Sequence, residues 1–86
     1  MHWVKSAEYK SGYEIIIGFE NNEVKVVNLE GLITKGIFSD LKDIDKFKKF
    51  KVNHDTDTIE WENGADLSPD FLYEAGKSIK KSLKVA

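Results

Sequence analysis

The sequence predicts a small α+β domain: a curved antiparallel sheet with a short middle helix and a C-terminal helix. Three observations carry this. Residues 2–29 alternate apolar and polar side chains between turn signals, the period of strands. Leu41, Ile44 and Phe47 recur three residues apart, the spacing of one helix face. Ser68-Pro69-Asp70 reads as a helix start, with a capping hydroxyl, a proline at the first position and an acid in the first turn. A chain of 86 residues makes one domain, 1–86. It buries only about two-thirds of its unfolded surface. Aromatic residues make up 12% of the chain and suit so small a core, because each ring buries much area.

The first strand covers residues 2–9, with Trp3, Ala7 and Tyr9 on one side and Val4 opposite. Ser11-Gly12 turns the chain. Tyr13 to Phe19 holds three consecutive isoleucines and is the strongest strand signal. Asn21-Asn22 follows, and asparagine tolerates the left-handed backbone of a tight hairpin. Glu23 to Leu29 alternates with Val24, Val26 and Leu29 on one side. Residues 2–29 thus read as a three-stranded meander.

Glu30 to Ile37 fits either a single helical turn or an extended piece, bracketed by Gly31 and Gly36. A helix starts after Ser39 or Asp40, both good N-caps, and ends near Lys48 or Lys49. Phe50 to Asn53 and Thr58 to Glu62 form a later hairpin across the polar turn His54-Asp55-Thr56-Asp57. Ile59 and Trp61 share one face, Glu60 and Glu62 the other. The last helix runs to about Leu83 on a stripe of Leu72, Ala75, Ile79 and Leu83. Asp70 and Glu74 near its start and Lys77, Lys80, Lys81 and Lys84 near its end complement the helix dipole.

Several chemistries find no support. The absence of cysteine removes disulfides, thiolate nucleophiles and cysteine zinc sites. Neither His2 nor His54 accompanies a nucleophile-elbow pattern. Asp55-Thr56-Asp57 opens like a calcium loop, but the third ligand position is Ile59. No glycine-rich loop joins a strand to a helix at phosphate-binding spacing. No catalytic residue, metal or cofactor is expected. The N-terminus lacks a charged segment followed by a long apolar run, and Ile15-Ile16-Ile17 is far too short to span a membrane. The expected address is cytoplasmic.

The charge distribution says more. All 13 basic residues are lysine, and arginine, the usual reader of base edges, is absent. Lys42, Lys46, Lys48, Lys49 and Lys51 crowd one segment, interleaved with Phe47 and Phe50. Residues 52–76 contain no lysine but hold Asp55, Asp57, Glu60, Glu62, Asp66, Asp70 and Glu74. Solvated faces account for such blocks in most proteins. The functional alternative is an acidic surface that steers a basic partner into place.

The stretch from Thr58 to Tyr73 carries Trp61, Asn63-Gly64-Ala65-Asp66-Leu67, Pro69 and Leu72-Tyr73. It resembles the closing signature of the small bacterial proteins grouped as the domain of unknown function 2442 family. The hairpin from Tyr13 to Val27 and the Phe38, Leu41, Phe47 spacing are similar to that family too. The chain departs from it at Asn21-Asn22, where the family often has Asp-Gly. The resemblance implies an α+β fold and no activity. Its members are often encoded beside another small protein, in toxin–antitoxin-like pairs. Some carry an added helix-turn-helix domain, for which this chain has no room.

The signature has a structural reading: Trp61 anchors the core, Asn63-Gly64 turns the chain, Ser68-Pro69 starts the helix, and Leu72 and Tyr73 pack back. Asp66 would accept backbone N–H groups. The rival reading is a surface site of Asn63, Asp66 and the Tyr73 hydroxyl. The expected function is a non-catalytic protein-interaction module, the antitoxin-like partner of a small basic protein encoded beside it. Its surface would draw on Asp55, Asp57, Glu60, Glu62, Asn63, Asp66 and Tyr73. The alternative is a nucleic-acid-associated regulator using Lys42 to Lys51. An open strand edge in so small a sheet also leaves a second copy of the chain as a partner.

Overall fold

A computed structural model of the chain describes residues 2–79. The fold is α+β. Strands β1 (Val4–Ser11), β2 (Glu14–Phe19) and β3 (Val24–Asn28) form an antiparallel meander. A 3-10 helix (Gly36–Lys42) and a single turn of helix α1 (Ile44–Phe47) follow. Strands β4 (Lys51–Asn53) and β5 (Thr58–Glu60) make a separate hairpin. Helix α2 (Pro69–Ala75) leads into the two-residue strand β6 (Lys77–Ser78), which pairs with β3. The main sheet therefore has the order β1-β2-β3-β6.

One face of this sheet carries the core: Val4 on β1, Ile15, Ile17 and Phe19 on β2, and Val27 on β3, with Leu29 just beyond. Short helices α1 and α2 pack aromatic rings at opposite ends of β2. Near the start of β2, the ring of Phe47 meets Tyr13 edge-on at 5.2 Å and Trp61 at 5.8 Å. Trp61 Nε1 donates to the Phe47 carbonyl at 2.8 Å, so a buried indole finds its partner inside the same cluster. At the other end of β2, Phe19 meets Tyr73 of α2 edge-on at 5.0 Å.

Four expectations are corrected. Strand β1 buries Val4, not Trp3, which is 36% exposed. The cause is a bulge: Val4 pairs with Phe19 and Ser6 with Gly18, leaving Lys5 unpaired. One extra residue reverses the alternation, so Val4, Ala7 and Tyr9 share the core face although their spacing is uneven. Strand β3 is likewise in the opposite phase. Ile15 pairs with Val27 and Ile17 with Lys25, which puts Lys25 on the core face and Val24 and Val26 on the other.

The middle helix is broken in two. Neither Ser39 nor Asp40 caps it. The 3-10 helix begins at Gly36, with Ser39 Oγ donating back to the Gly36 carbonyl, and Asp43 is the cap of α1, accepting from the Asp45 N–H at 3.0 Å. The last helix is shorter than its pattern suggests. It stops at Ala75, which is exposed, and Gly76 turns the chain into β6. A Cβ on Gly76 would stand 2.8 Å from Lys25 Cβ and 3.1 Å from the Leu72 carbonyl oxygen. That residue is glycine because strand β3 passes too close for anything larger. Lys77 consequently sits in a strand rather than on a helix end, and Leu83, Lys80, Lys81 and Lys84 lie outside the described residues.

Candidate functional site

The signature segment is built by short-range geometry. Strand β5 ends at Glu60, one residue earlier than Trp61, whose N–H donates to the Ala65 carbonyl at 2.8 Å. Between them Gly64 takes a φ of +94°, a left-handed backbone that favours glycine. The Asn63 side chain clamps this loop from both ends. Its Oδ1 accepts from the Ala65 N–H at 3.0 Å, and its Nδ2 donates to the Ile37 carbonyl at 3.1 Å. Ser68 then caps α2, accepting from the Phe71 N–H at 3.0 Å, with Pro69 in the first turn. Leu72 is fully buried.

The clamp brings two distant segments together. A groove of about 300 Å³ opens between the 3-10 helix, α1 and the Trp61 loop. Leu41 and Trp61 contribute apolar surface; Asp40, Lys46, Lys49, Glu62 and Asn63 complete the lining. Ile37 stands beside it, held by Asn63, and remains 48% exposed.

The other expected site residues distribute as follows. Asp55 is exposed in the β4–β5 turn, where its N–H donates to Asn53 Oδ1 at 2.8 Å. Asp57 adopts a φ of +57°, and its carbonyl accepts from the Val4 N–H, tying the hairpin to β1. Its role is thus in the backbone. Glu60 is half-buried and accepts from Asn53 Nδ2 at 3.0 Å, so its carboxylate is engaged within the hairpin rather than displayed on an open strand face. Asp66 forms a backbone bridge with Glu60, and among the described residues no backbone N–H donates to its carboxylate. Glu62 and Asp66 are exposed.

Asn63, Asp66 and the Tyr73 hydroxyl do not meet in one site. Tyr73 belongs to the Phe19 end of β2, whereas Asn63 belongs to the Phe47–Trp61 end. The Tyr73 hydroxyl instead donates to Glu23 Oε2 at 2.7 Å. Around it gather residues that the sequence pattern did not single out. Lys25 Nζ donates to the Tyr73 carbonyl at 2.7 Å and lies 3.6 Å from the centre of its ring. The imidazole of His2 stacks on that ring at 3.5 Å, nearly parallel. His2 Nδ1 is 3.4 Å from Asp70 Oδ1. Two groups at these distances cannot share one face of a ring, so His2 and Lys25 sandwich Tyr73. The hydrogen bond from Tyr73 holds the Glu23 carboxyl below its ordinary range, helped by Ser78 and Lys25 against the opposing effect of burial. The same bond pushes the Tyr73 phenol up. This cluster ties the N-terminus, the β2–β3 hairpin and α2 together.

Charge is used unevenly across the surface. Among the described residues, an ion pair joins Lys10 to Glu14, and the His2 imidazole lies beside the Asp70 carboxylate. Neither the groove charges nor Asp55 and Asp66 belong to one. Also among the described residues, no group of three or more His, Asp or Glu side chains is placed to hold a metal, and no helix is long and apolar enough to cross a membrane.

No curated protein and no solved structure matches the chain. A family model does, over residues 4–78, which include the meander, the groove and the whole Trp61-to-Tyr73 signature. The chain therefore belongs to the family described as Protein of unknown function (DUF2442).

Proposed function

We propose that this chain is a non-catalytic protein-interaction module, the antitoxin-like partner of a small basic protein encoded beside it. The reading rests chiefly on one observation. Asp55, Glu62 and Asp66 are exposed, lie in a stretch without lysine, and make no ion pair among the described residues. Carboxylates left uncompensated on one stretch create a negative potential that accelerates encounter with a basic partner and fixes its orientation.

Co-expression with the protein of the adjacent reading frame tests this. A complex should co-purify, and Asp55→Lys with Asp66→Lys should weaken it while leaving the circular dichroism unchanged. Failure of the wild-type chain to form a complex at micromolar concentration overturns the reading.

A nucleic-acid role for the lysine segment is the second reading, favoured by the exposure of Lys42, Lys46, Lys48, Lys49 and Lys51. Its weakness is the aromatics. Phe47 is fully buried, and Phe50 packs half-buried against Phe47 and Trp61, so neither offers a face for a base to stack on. Retention on mixed DNA or RNA that falls steeply with salt supports this second reading; no retention at low salt removes it.

A further inference from the structure

The groove beside Trp61 has a property that a basic partner does not explain. It is lined by two acids, Asp40 and Glu62, and two lysines, Lys46 and Lys49. Opposite charges line one small groove, yet among the described residues none of the four is within ion-pair distance of another. The hollow on the outer sheet face differs: there Lys10 and Glu14 already pair at 3.7 Å. A wholly basic partner seated over the groove would meet Lys46 and Lys49 with like charge, which opposes docking. An occupant that fits must carry both signs.

We infer that the groove is a self-complementary surface at which two copies of this chain associate. A two-fold contact places a patch against itself, so a patch holding both signs satisfies its own charges: the acids of one copy face the lysines of the other. The apolar part of the contact comes from Ile37, since Leu41 and Trp61 line the groove but are each only 3% exposed. Ile37 is the most exposed large apolar side chain among the described residues, and its backbone is fixed by the bond from Asn63 and by its neighbour Phe38, which packs edge-on to Trp61 at 6.2 Å. A segment whose backbone is already held needs little further ordering on association, which favours binding. The Asn-Gly pair of the family signature thus acquires a second task beyond turning the chain. It presents Ile37 at the dimer contact. This inference stands apart from the partner reading, because self-association is measured with the chain alone.

Sedimentation equilibrium on the purified chain gives the test. The wild type should show a reversible monomer–dimer equilibrium that weakens as salt is raised. Lys46→Glu with Lys49→Glu gives an all-acidic groove, and Asp40→Lys with Glu62→Lys an all-basic one. Each double variant alone should dimerise at least about tenfold more weakly. Mixed in equal amounts, the two should restore a dimer of one copy of each. All four positions are surface-exposed, and circular dichroism verifies that each variant is folded. A wild type that stays monomeric up to millimolar concentration overturns the inference. So does a dimer indifferent to both reversals, or two variants that fail to pair when mixed.

Discussion

The phenol of Tyr73 donates to Glu23 across 2.7 Å, joining two residues fifty positions apart in the chain. Glu23 follows the turn of the β2–β3 hairpin, and Tyr73 closes the family signature. Their bond makes the packing of α2 sensitive to pH in a defined direction.

The folded state holds the Glu23 carboxyl below its ordinary value, so this contact stabilises the protein fully above that value. The contribution is lost as pH falls through the depressed folded value. Tyr73 works in reverse: its phenol is raised, so its contribution is present below the ordinary tyrosine value and lost as pH rises through the folded one. Urea unfolding across the pH range should therefore show Glu23→Gln flattening the acid limb, and Tyr73→Phe flattening both limbs. An acid limb unchanged in Glu23→Gln would refute the assignment.

Trp61→Phe should cost about 2–3 kcal/mol of unfolding free energy. The substitution removes the Nε1–H that satisfies the Phe47 carbonyl and leaves a void among Phe38, Phe47 and Phe50. Chemical denaturation followed by circular dichroism measures it. A loss under half a kilocalorie would mean that the cluster repacks around the smaller ring.

Gly76→Ala should destabilise by about 1–3 kcal/mol, although the backbone angles there are open to any residue. The clash is with Lys25 Cβ and the Leu72 carbonyl, not with the conformation of residue 76 itself. Gly12→Ala provides a contrast, because φ is +52° at that position and no atom crowds the added methyl. The two variants separate crowding from backbone strain: Lys25→Gly should recover part of the loss in Gly76→Ala and none in Gly12→Ala.

Ser68→Ala should lower stability by about 1 kcal/mol through loss of the cap on the Phe71 N–H. Ser68→Asp should retain most of it, since a carboxylate caps equally well and suits the helix start. A thermal melt of the three proteins shows the order.

Much of the fold could be read from side-chain chemistry that acts locally. Asn63-Gly64 announced a turn, Ser68-Pro69 a helix start, and the isoleucines of β2 a buried strand; each depends on its immediate neighbours. The misreadings came from effects that reach across the chain. Lys5 gives no sign in the sequence that it will bulge, and that single residue transfers burial from Trp3 to Val4. Lys25 looks like the solvent side of an alternating strand until Tyr73 arrives to cover its charge with a ring and a carbonyl. The stripe from Leu72 to Leu83 keeps helical spacing past Gly76, yet the approach of β3 ends the helix first. At the candidate site, Asn63 was legible as part of a motif and Glu62 as part of an acidic stretch. Asp40 read as a helix cap and Lys46 and Lys49 as members of a basic segment, because the Asn63 bond to Ile37 beside the groove joins positions 26 apart.

The pairing of β6 with β3 sets an order of events during synthesis. The meander is complete by Asn28, but the free side of β3 waits for Lys77 and Ser78, which follow only after the helices and the second hairpin. Until those residues emerge, a nascent chain displays an unsheltered strand next to Val24 and Val26, a template for unwanted cross-pairing. Fragments ending before Lys77 should therefore clump where the full chain stays dispersed.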